Sequence, residues 1–148
     1  MKKRHIYVDL DNLYIVNNKI DVDVMRQRIN NIKSLNMKTH WYGNMYTQKI
    51  VNKYDIDIDL ISSNVAVNSA DHNIINDMTR AKNKNVSIIT SDLTLCRIAL
   101  YLNPDKNIAF YRFYQNSLQR FFVDFSFKTR EHLDKFLKSL ILYMKRFP

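Results

Sequence analysis

Aspartates follow two short apolar runs that have the composition of buried strands. Asp9 comes directly after His5–Val8, and Asp92 comes shortly after Val86–Ile89. Asp71 opens a predicted helix behind a weaker third strand. Three carboxylates at one place repel one another unless a hard divalent cation such as Mg²⁺ or Mn²⁺ lies between them. These residues therefore predict a metal site, although aspartate at the start of a helix is also a common N-cap.

Strands and helices alternate along the predicted chain, and this order decides where the aspartates lie. We predict strands at His5–Val8, Thr39–Tyr42, within Ile56–Val67, and at Val86–Ile89, Asn107–Phe113 and Phe121–Phe125. We predict helices from Asp21 or Asp23 to about Leu35, from Thr47 to about Tyr54, from Asp71 to about Ala81, from Asp92 to Leu102, and over about 129–145. The alternation is typical of an α/β fold, here a three-layer α/β/α sandwich with a mostly parallel, Rossmann-like sheet in a single domain of residues 1–148. Such sheets bind ligands beyond the carboxyl ends of their strands, where Asp9 and Asp92 should emerge together.

The composition indicates a basic protein. Lysine and arginine outnumber the acidic residues by 23 to 14, which gives a net charge of +9 and makes nucleic acid the first partner to consider. The lone cysteine, Cys96, lies in an apolar stretch, which predicts a buried thiol and a reducing compartment. No run of about 18 apolar residues is present, so we expect a soluble, cytoplasmic protein that is not held in a membrane.

Several other chemistries are disfavoured by residue type. The four histidines are scattered without the spacing of zinc ligands. A single glycine, Gly43, cannot build a glycine-rich phosphate-binding loop. No serine stands in the nucleophile elbow of a hydrolase. The aspartates therefore remain the main candidates for catalysis.

Three segments, in this order, resemble the NYN domain, a branch of the PIN-like nuclease superfamily. VDLDN resembles the opening strand of the family with its Asp-x-x-Asn, and supplies Asp9 and Asn12. SADHNIINDM resembles the segment in which one aspartate follows another by six residues, and supplies Asp71 and Asp77. VSIITSDLTL resembles the strand that ends in an aspartate-containing turn, and supplies Asp92. The resemblance implies a PIN-like fold.

The resemblance also implies a metal-dependent endoribonuclease that cleaves single-stranded or looped RNA and leaves a 5′-phosphate. Mg²⁺ or Mn²⁺ would be held by Asp9, Asp71 and Asp92, with Asp77 as a further candidate ligand. The cation would activate a water and neutralise charge on the scissile phosphate. Asn12 would hydrogen-bond the substrate or orient Asp9.

With the segment WYG after the first predicted helix, the resemblance extends over about residues 5–125. Two positions in this range depart from the family pattern. Thr94 stands where the family often has a second aspartate, and Ser91 stands where it usually has a glycine. A neutral hydroxyl is a weaker ligand for a divalent cation than a carboxylate. The alternative is therefore a catalytically degenerate NYN domain that acts as an RNA-binding or interaction module.

Basic residues near the predicted rim of the site are candidates for binding the RNA backbone. By position they are Arg80, Lys82, Arg97 and Arg112. The aromatic run around Arg112, FYRFYQNSLQRFF, predicts either base stacking or a core strand with inward aromatic side chains. The predicted partners are RNA and a second copy of the chain in a homodimer.

A second resemblance points to a different reaction. Asp9-Leu10-Asp11 resembles the nucleophile and acid of haloacid-dehalogenase-like phosphatases, and IITS resembles their strand-end Ser/Thr motif. That chemistry forms an aspartyl phosphate on a small phosphoester. It needs an acid pair after the Ser/Thr strand, where the chain offers only Asp105 and Asp124, whereas Asp71 precedes that strand. The phosphatase is the less favoured alternative, and Asp11, which only it would use, is predicted to face solvent.

Overall fold

The computed structural model describes residues 4–11, 13–62, 69–127 and 129–146. The strands in these ranges are β1 His5–Asp9, β2 Ile15–Val16, β3 Lys19–Ile20, β4 Lys38–Gly43, β5 Leu60–Ser62, β6 Asn85–Ile89, β7 Asn107–Tyr114 and β8 Ser117–Phe121. The helices are α1 Val22–Lys33, α2 Met45–Lys53, α3 Ser69–Arg80, α4 Leu93–Leu102 and α5 Arg130–Arg146. The alternation of strands and helices confirms the prediction of an α/β fold.

One six-stranded sheet, in the order β5-β4-β1-β6-β7-β8, forms the centre of the fold. The strands from β5 to β7 are parallel, and β8 runs antiparallel to β7. The first strand lies in the middle, with Asp9 opposite Tyr42 of β4 and Val8 opposite Ile89 of β6. The carboxyl ends of β1, β4 and β6 therefore meet at one edge of the sheet.

Helices cover both faces of this sheet. On one face α3, α4 and α5 contribute Ile74, Ile98 and Phe136 to a buried cluster. On the other face α1 and α2 contribute Ile29 and Val51 to a second cluster. The structure thus has three layers, as an α/β/α arrangement requires, because a sheet with two apolar faces must be covered on both.

The central strand explains why Asp9 is held rigidly. Tyr7 belongs to one apolar cluster, and Ile6 and Val8 belong to the other, because successive side chains of a strand point to opposite faces. Cys96, in α4, is fully buried in the first cluster, which confirms the prediction of a buried thiol. Burial on both sides of β1 leaves its last residue little freedom to move.

The strand predicted at Phe121–Phe125 was placed wrongly. The strand is Ser117–Phe121, and it pairs with β7 through a hairpin whose two-residue turn is Gln115-Asn116. Gln115 has a φ of 55°, a conformation for which glycine or asparagine is the usual sequence signal. Because neither stands at that position, the hairpin was not recognised and the strand was read four residues too late.

A second short hairpin, β2–β3, was not predicted at all. Its turn is Asn17-Asn18, with φ values of 51° and 62°, and asparagine tolerates this left-handed region better than most residues. The chain then returns to the sheet, where the Asp21 N–H donates to the Tyr14 carbonyl and the Asp21 side chain caps α1. The hairpin thus closes the loop that follows the first strand.

Every helix in the described ranges is too short or too polar to cross a lipid bilayer.

Candidate functional site

Asp9 lies at the carboxyl end of the central strand and is buried, with only 7% of its surface exposed. The Thr90 hydroxyl donates to Asp9 Oδ2 at 3.1 Å, and the Asp11 backbone N–H donates to Oδ1 at 3.2 Å. Burial, followed by the neighbouring carboxylates of Asp11 and Asp92, raises the pKa of Asp9 to about 7. The two hydrogen bonds lower this pKa, but by less than burial raises it. The carboxyl group therefore titrates near neutral pH.

Asp92 has a clear structural role as the N-cap of α4. Its Oδ1 accepts from the backbone N–H groups of Thr94, at 2.9 Å, and Leu95, at 3.3 Å. The Asp92 N–H itself donates to the Thr90 hydroxyl at 3.1 Å. Thr90 thus joins Asp9 to Asp92, a link that the sequence prediction missed because it named only the carboxylates.

Asp71 joins these residues from the first turn of α3. Burial, followed by the carboxylates of Asp9 and Asp92, raises its pKa to about 9, and a hydrogen bond with the Asp92 side chain adds to the effect. A hydrogen bond between two carboxyl groups requires a proton on one of them. The three predicted aspartates are therefore electrostatic neighbours, and Asp71 and Asp92 share a proton.

The donor chemistry of this cluster fits a hard divalent cation, but its spacing does not. Oxygen ligands are those that Mg²⁺ and Mn²⁺ prefer, and a cation would oppose the burial and the repulsion that raise the pKa values of Asp9 and Asp71. Within the described ranges, however, no three Asp, Glu, His or Cys side chains are placed so that they could hold a metal ion. A cation would first have to displace the proton between Asp71 and Asp92.

The prediction that Asp11 faces solvent is wrong. Asp11 is partly buried, and its Oδ1 accepts from the Asn44 backbone N–H at 2.8 Å and from the Thr47 hydroxyl at 2.9 Å. Thr47 is fully buried and also lies 3.1 Å from the Tyr14 hydroxyl. Asp11 therefore ties the end of the first strand to the start of α2, and its carboxylate adds negative charge beside Asp9.

The only glycine in the chain permits this attachment. A Cβ atom at Gly43 would lie 2.7 Å from Thr47 Cγ2 and 2.8 Å from Thr47 Cβ, closer than such atoms can approach. We expect Gly43→Ala to lower the free energy of unfolding by about 1 to 3 kcal/mol, because α2 must move away from the sheet. Urea denaturation would measure this loss. Adding Thr47→Ser, which removes Cγ2 and keeps the hydroxyl, should restore part of it, and an unchanged stability of Gly43→Ala would contradict the tight approach.

Two other candidates are not seen beside these carboxylates. Asp77 accepts a hydrogen bond of 2.8 Å from the Tyr42 hydroxyl and so joins α3 to β4. Six residues separate it from Asp71, which corresponds to about 9 Å along a helix axis. Asn12 lies outside the described residues, so its predicted role stays a prediction.

The predicted RNA-binding residues divide into two groups. Arg97 and Arg112 line cavities that adjoin Asp92 and Asp9, respectively. Arg80, the last residue of α3, and Lys82, in the turn before β6, lie at the opposite edge of the sheet. The structure therefore brings two of the four cations to the carboxylates. Arg97 also donates to the carbonyls of Asp124 and Ser126 and so holds the segment after β8.

Three cavities surround the carboxylates at this edge. A small one of about 60 Å³ is lined by Asp9, Leu13, Arg28, Ile89, Thr90, Ser91, Arg112 and Phe113. A large, open one of about 640 Å³ is lined by Ser91, Asp92, Leu93, Thr94, Arg97, Asp124, Ser126, His132 and Lys135. A third, of about 150 Å³, includes Asp71, Asp92, Thr94 and Lys135. Cationic side chains therefore stand on both sides of the acidic cluster, and those from α1 and α5 were not predicted.

The acids that a haloacid-dehalogenase-like site would need are placed differently. Asp105 lies in the turn between α4 and β7, at the opposite edge of the sheet from Asp9. Asp124 lines the large cavity, but its Oδ1 accepts from the backbone N–H and the hydroxyl of Ser126. The acid that lies beside Asp9 and Asp92 is instead Asp71, which is upstream in sequence.

Comparisons with known proteins do not assign the chain to a family. No protein-family model matches it, and no curated protein or solved structure matches it. What the site can do is therefore inferred from its own residues and geometry.

Proposed function

We propose that this protein is a metal-dependent endoribonuclease with a PIN-like fold of the NYN type, acting on single-stranded or looped RNA. The observation that carries the proposal is the meeting of Asp9, Asp71 and Asp92 at the carboxyl edge of a parallel sheet, where burial and then neighbouring carboxylates raise the pKa values of the first two. Carboxylates are brought together against their repulsion at sites that bind cations. The net charge of +9 supports a polyanionic substrate.

Each aspartate would contribute to the reaction from a different support. Asp9 is fixed by the Thr90 hydroxyl, and Asp92 is fixed by the first turn of α4. Asp71 supplies a carboxyl group that can release its proton when positive charge approaches. These three side chains would have to move closer together to hold Mg²⁺ or Mn²⁺, which when bound would supply an activated water and neutralise charge on the scissile phosphate.

The cavities suggest how an RNA strand would lie. The large cavity has room for a nucleotide and presents Arg97, His132 and Lys135 beside Asp92. Arg112 stands on the other side, beside Asp9. A phosphodiester chain crossing the carboxylates would therefore meet cations before and after the point of cleavage. Affinity for RNA should fall as salt rises, because phosphate neutralisation releases counterions.

A catalytically degenerate RNA-binding or interaction module is the second candidate, and specific observations favour it. In the described part of the chain no three acidic, histidine or cysteine side chains are placed to hold a cation. Thr94 offers a hydroxyl at the position where the resembled family often has an aspartate. The cationic cavities would serve RNA binding equally well without cleavage.

Two further proposals, on cellular location and oligomeric state, accompany this function. A cytoplasmic location accords with the single buried cysteine. A homodimer stays a prediction that sedimentation of the purified protein would test.

A nuclease assay separates these functions. We expect the wild-type protein to cut a single-stranded RNA oligonucleotide in Mn²⁺, to leave 5′-phosphate ends, and to be inactive in EDTA. The same RNA annealed into a duplex should be cut more slowly, since paired strands do not present a flexible backbone to the edge of the sheet. RNA binding without cleavage would support the degenerate module. Turnover of p-nitrophenyl phosphate without RNA cleavage would support the phosphatase.

A further inference from the structure

The small cavity beside Asp9 lies where the first, sixth and seventh strands end. The cavity has a volume of about 60 Å³ and is separate from the large open cavity, which also borders Ser91. A water-sized group needs roughly 10 to 15 Å³ in this measure, so the space accepts about four or five such groups. A phosphate group, with one phosphorus and four oxygen atoms, has this size.

Arg28, which lines the cavity, has a hydrogen-bond donor that is not satisfied. Its Nη1 donates to the Leu13 carbonyl at 2.9 Å and its Nη2 donates to the Gln115 carbonyl at 2.7 Å, so the guanidinium group is held from two sides. Its Nε is buried and has no acceptor in the part of the chain that the structure describes. Leaving a buried donor without a partner is unfavourable, so an acceptor that reached this nitrogen would stabilise the group.

Arg112 supplies a second guanidinium group at the same cavity. It is held over the ring of Phe121, with 4.9 Å between its Cζ atom and the ring centre. The only acidic side chain of the lining is Asp9, so the two arginines leave the cavity with a net positive charge. Guanidinium groups match tetrahedral oxyanions particularly well, because their planar N–H donors bind two oxygens at once.

The other polar side chains of the lining are those of Thr90 and Ser91. The Thr90 hydroxyl is already engaged, since it donates to Asp9 and accepts from the Asp92 N–H. Ser91 is exposed and lines both this cavity and the large one. A phosphate held in the small cavity would therefore lie beside Asp9 and Ser91, and Ser91 also borders the large cavity.

We propose that the cavity lined by Arg28 and Arg112, the Arg28–Arg112 pocket, binds one phosphate group of a nucleic acid strand, next to the phosphate at the acidic cluster. Its assignment to an RNA backbone rests on the proposed nuclease or RNA-binding function. Its capacity to bind an oxyanion does not, because it depends only on the two arginines and the shape of the cavity.

Inorganic phosphate, titrated in EDTA at constant ionic strength, tests the pocket without metal or RNA. Nuclear magnetic resonance follows the Nε–H groups of arginines directly. We expect millimolar phosphate to shift the Arg28 Nε–H resonance and to slow its exchange with water, while chloride has no such effect. Arg112→Gln should weaken phosphate binding by about tenfold or more, since one of the two charge-assisted donors is lost.

Control variants separate the pocket from general basicity and from damage to the fold. Arg80→Gln removes a cation at the opposite edge of the sheet and should leave phosphate binding unchanged. Arg28→Lys keeps the charge but loses Nε–H, and should bind phosphate more weakly while the Gln115 and Leu13 resonances report whether the local fold persists. Phosphate binding that is equal in the wild type and Arg112→Gln, or an Arg28 resonance that does not respond, would overturn the proposal.

The outcome is independent of the nuclease assay. Phosphate binding without RNA cleavage would leave the pocket in place and count against the enzyme. RNA cleavage without a response of Arg28 would support the enzyme and refute the pocket.

Discussion

Asp92→Asn is expected to lower metal-dependent RNA cleavage by about 100- to 1000-fold while leaving the protein folded. The substitution separates the two roles of this residue. Asparagine is as good an N-cap as aspartate, so its side-chain oxygen can still accept from the Thr94 and Leu95 N–H groups. It cannot offer the negative charge that a divalent cation requires.

Single-turnover cleavage of a labelled RNA in Mn²⁺ would measure this loss, and circular dichroism would confirm that α4 persists. Asp9→Asn should give a loss of similar size, because the Thr90 hydroxyl can still donate to the amide oxygen. Asp105→Asn, at the opposite edge of the sheet, is the matched control and should cleave like the wild type. If Asp92→Asn cleaved normally, Asp92 would be a helix cap alone and the proposed metal site would lose a ligand.

The strands that carry these aspartates were predictable because their signal is local. His5–Val8 and Val86–Ile89 are short apolar runs, and the structure has strands at both. Parallel strands place their carboxyl ends together, which is why Asp9 and Asp92 were expected near one another. Thr90 makes a hydrogen bond to both Asp9 and Asp92. This link depends on side-chain geometry, which the spacing of residues in the sequence does not encode.

The error on Asp11 has a different cause. Its partners, Asn44 and Thr47, are 33 and 36 residues away and come into reach only because β4 pairs with β1 in one register. Strand register depends on packing against both sheet faces and is not visible in one segment. Arg28 was missed for the same reason, since its contact with Gln115 spans 87 residues.

The placement of Arg80 and Lys82 could have been predicted. A helix that connects parallel strands runs back along the sheet, so its two ends lie at opposite edges. Asp71 lies in the first turn of α3 and Arg80 ends it, and their separation of nine residues corresponds to about 13.5 Å along the helix axis. Arg80 was therefore predictable as lying at the end of α3 away from Asp71.

Asp71→Asn is expected to stabilise the metal-free protein at pH 8 by about 2 kcal/mol or more. Burial and the carboxylates of Asp9 and Asp92 raise the pKa of Asp71 from 3.8 to about 9. Each pKa unit corresponds to about 1.4 kcal/mol, and water entering the relaxed site offsets part of this. Asparagine keeps the size of the side chain and is neutral without taking up a proton, so the variant avoids this cost of folding while the packing stays.

The pH dependence gives the sign of the same effect. Between the unfolded pKa of 3.8 and the folded value of about 9, the folded protein binds a proton that the unfolded chain has released. The stabilisation is therefore fully present below pH 3.8 and is lost as the pH rises through about 9. The contribution of Asp9 to stability is lost in the same way, but as the pH rises through about 7, its pKa in the folded protein. We expect the wild type in EDTA to lose up to about 1.4 kcal/mol per pH unit for each such group within this range.

Urea denaturation in EDTA, at intervals from pH 6 to 9, would compare the wild type with Asp71→Asn. The variant should be the more stable protein, with the difference growing as the pH rises. Burial lowers the pKa values of His5 and His40, but both residues are present in both proteins, so the difference isolates Asp71. Asp105→Asn should follow the wild type at every pH. A wild type that gains stability over Asp71→Asn as the pH rises would show that the carboxyl group of Asp71 is not crowded by Asp9 and Asp92, and the acidic cluster would lose its physical basis.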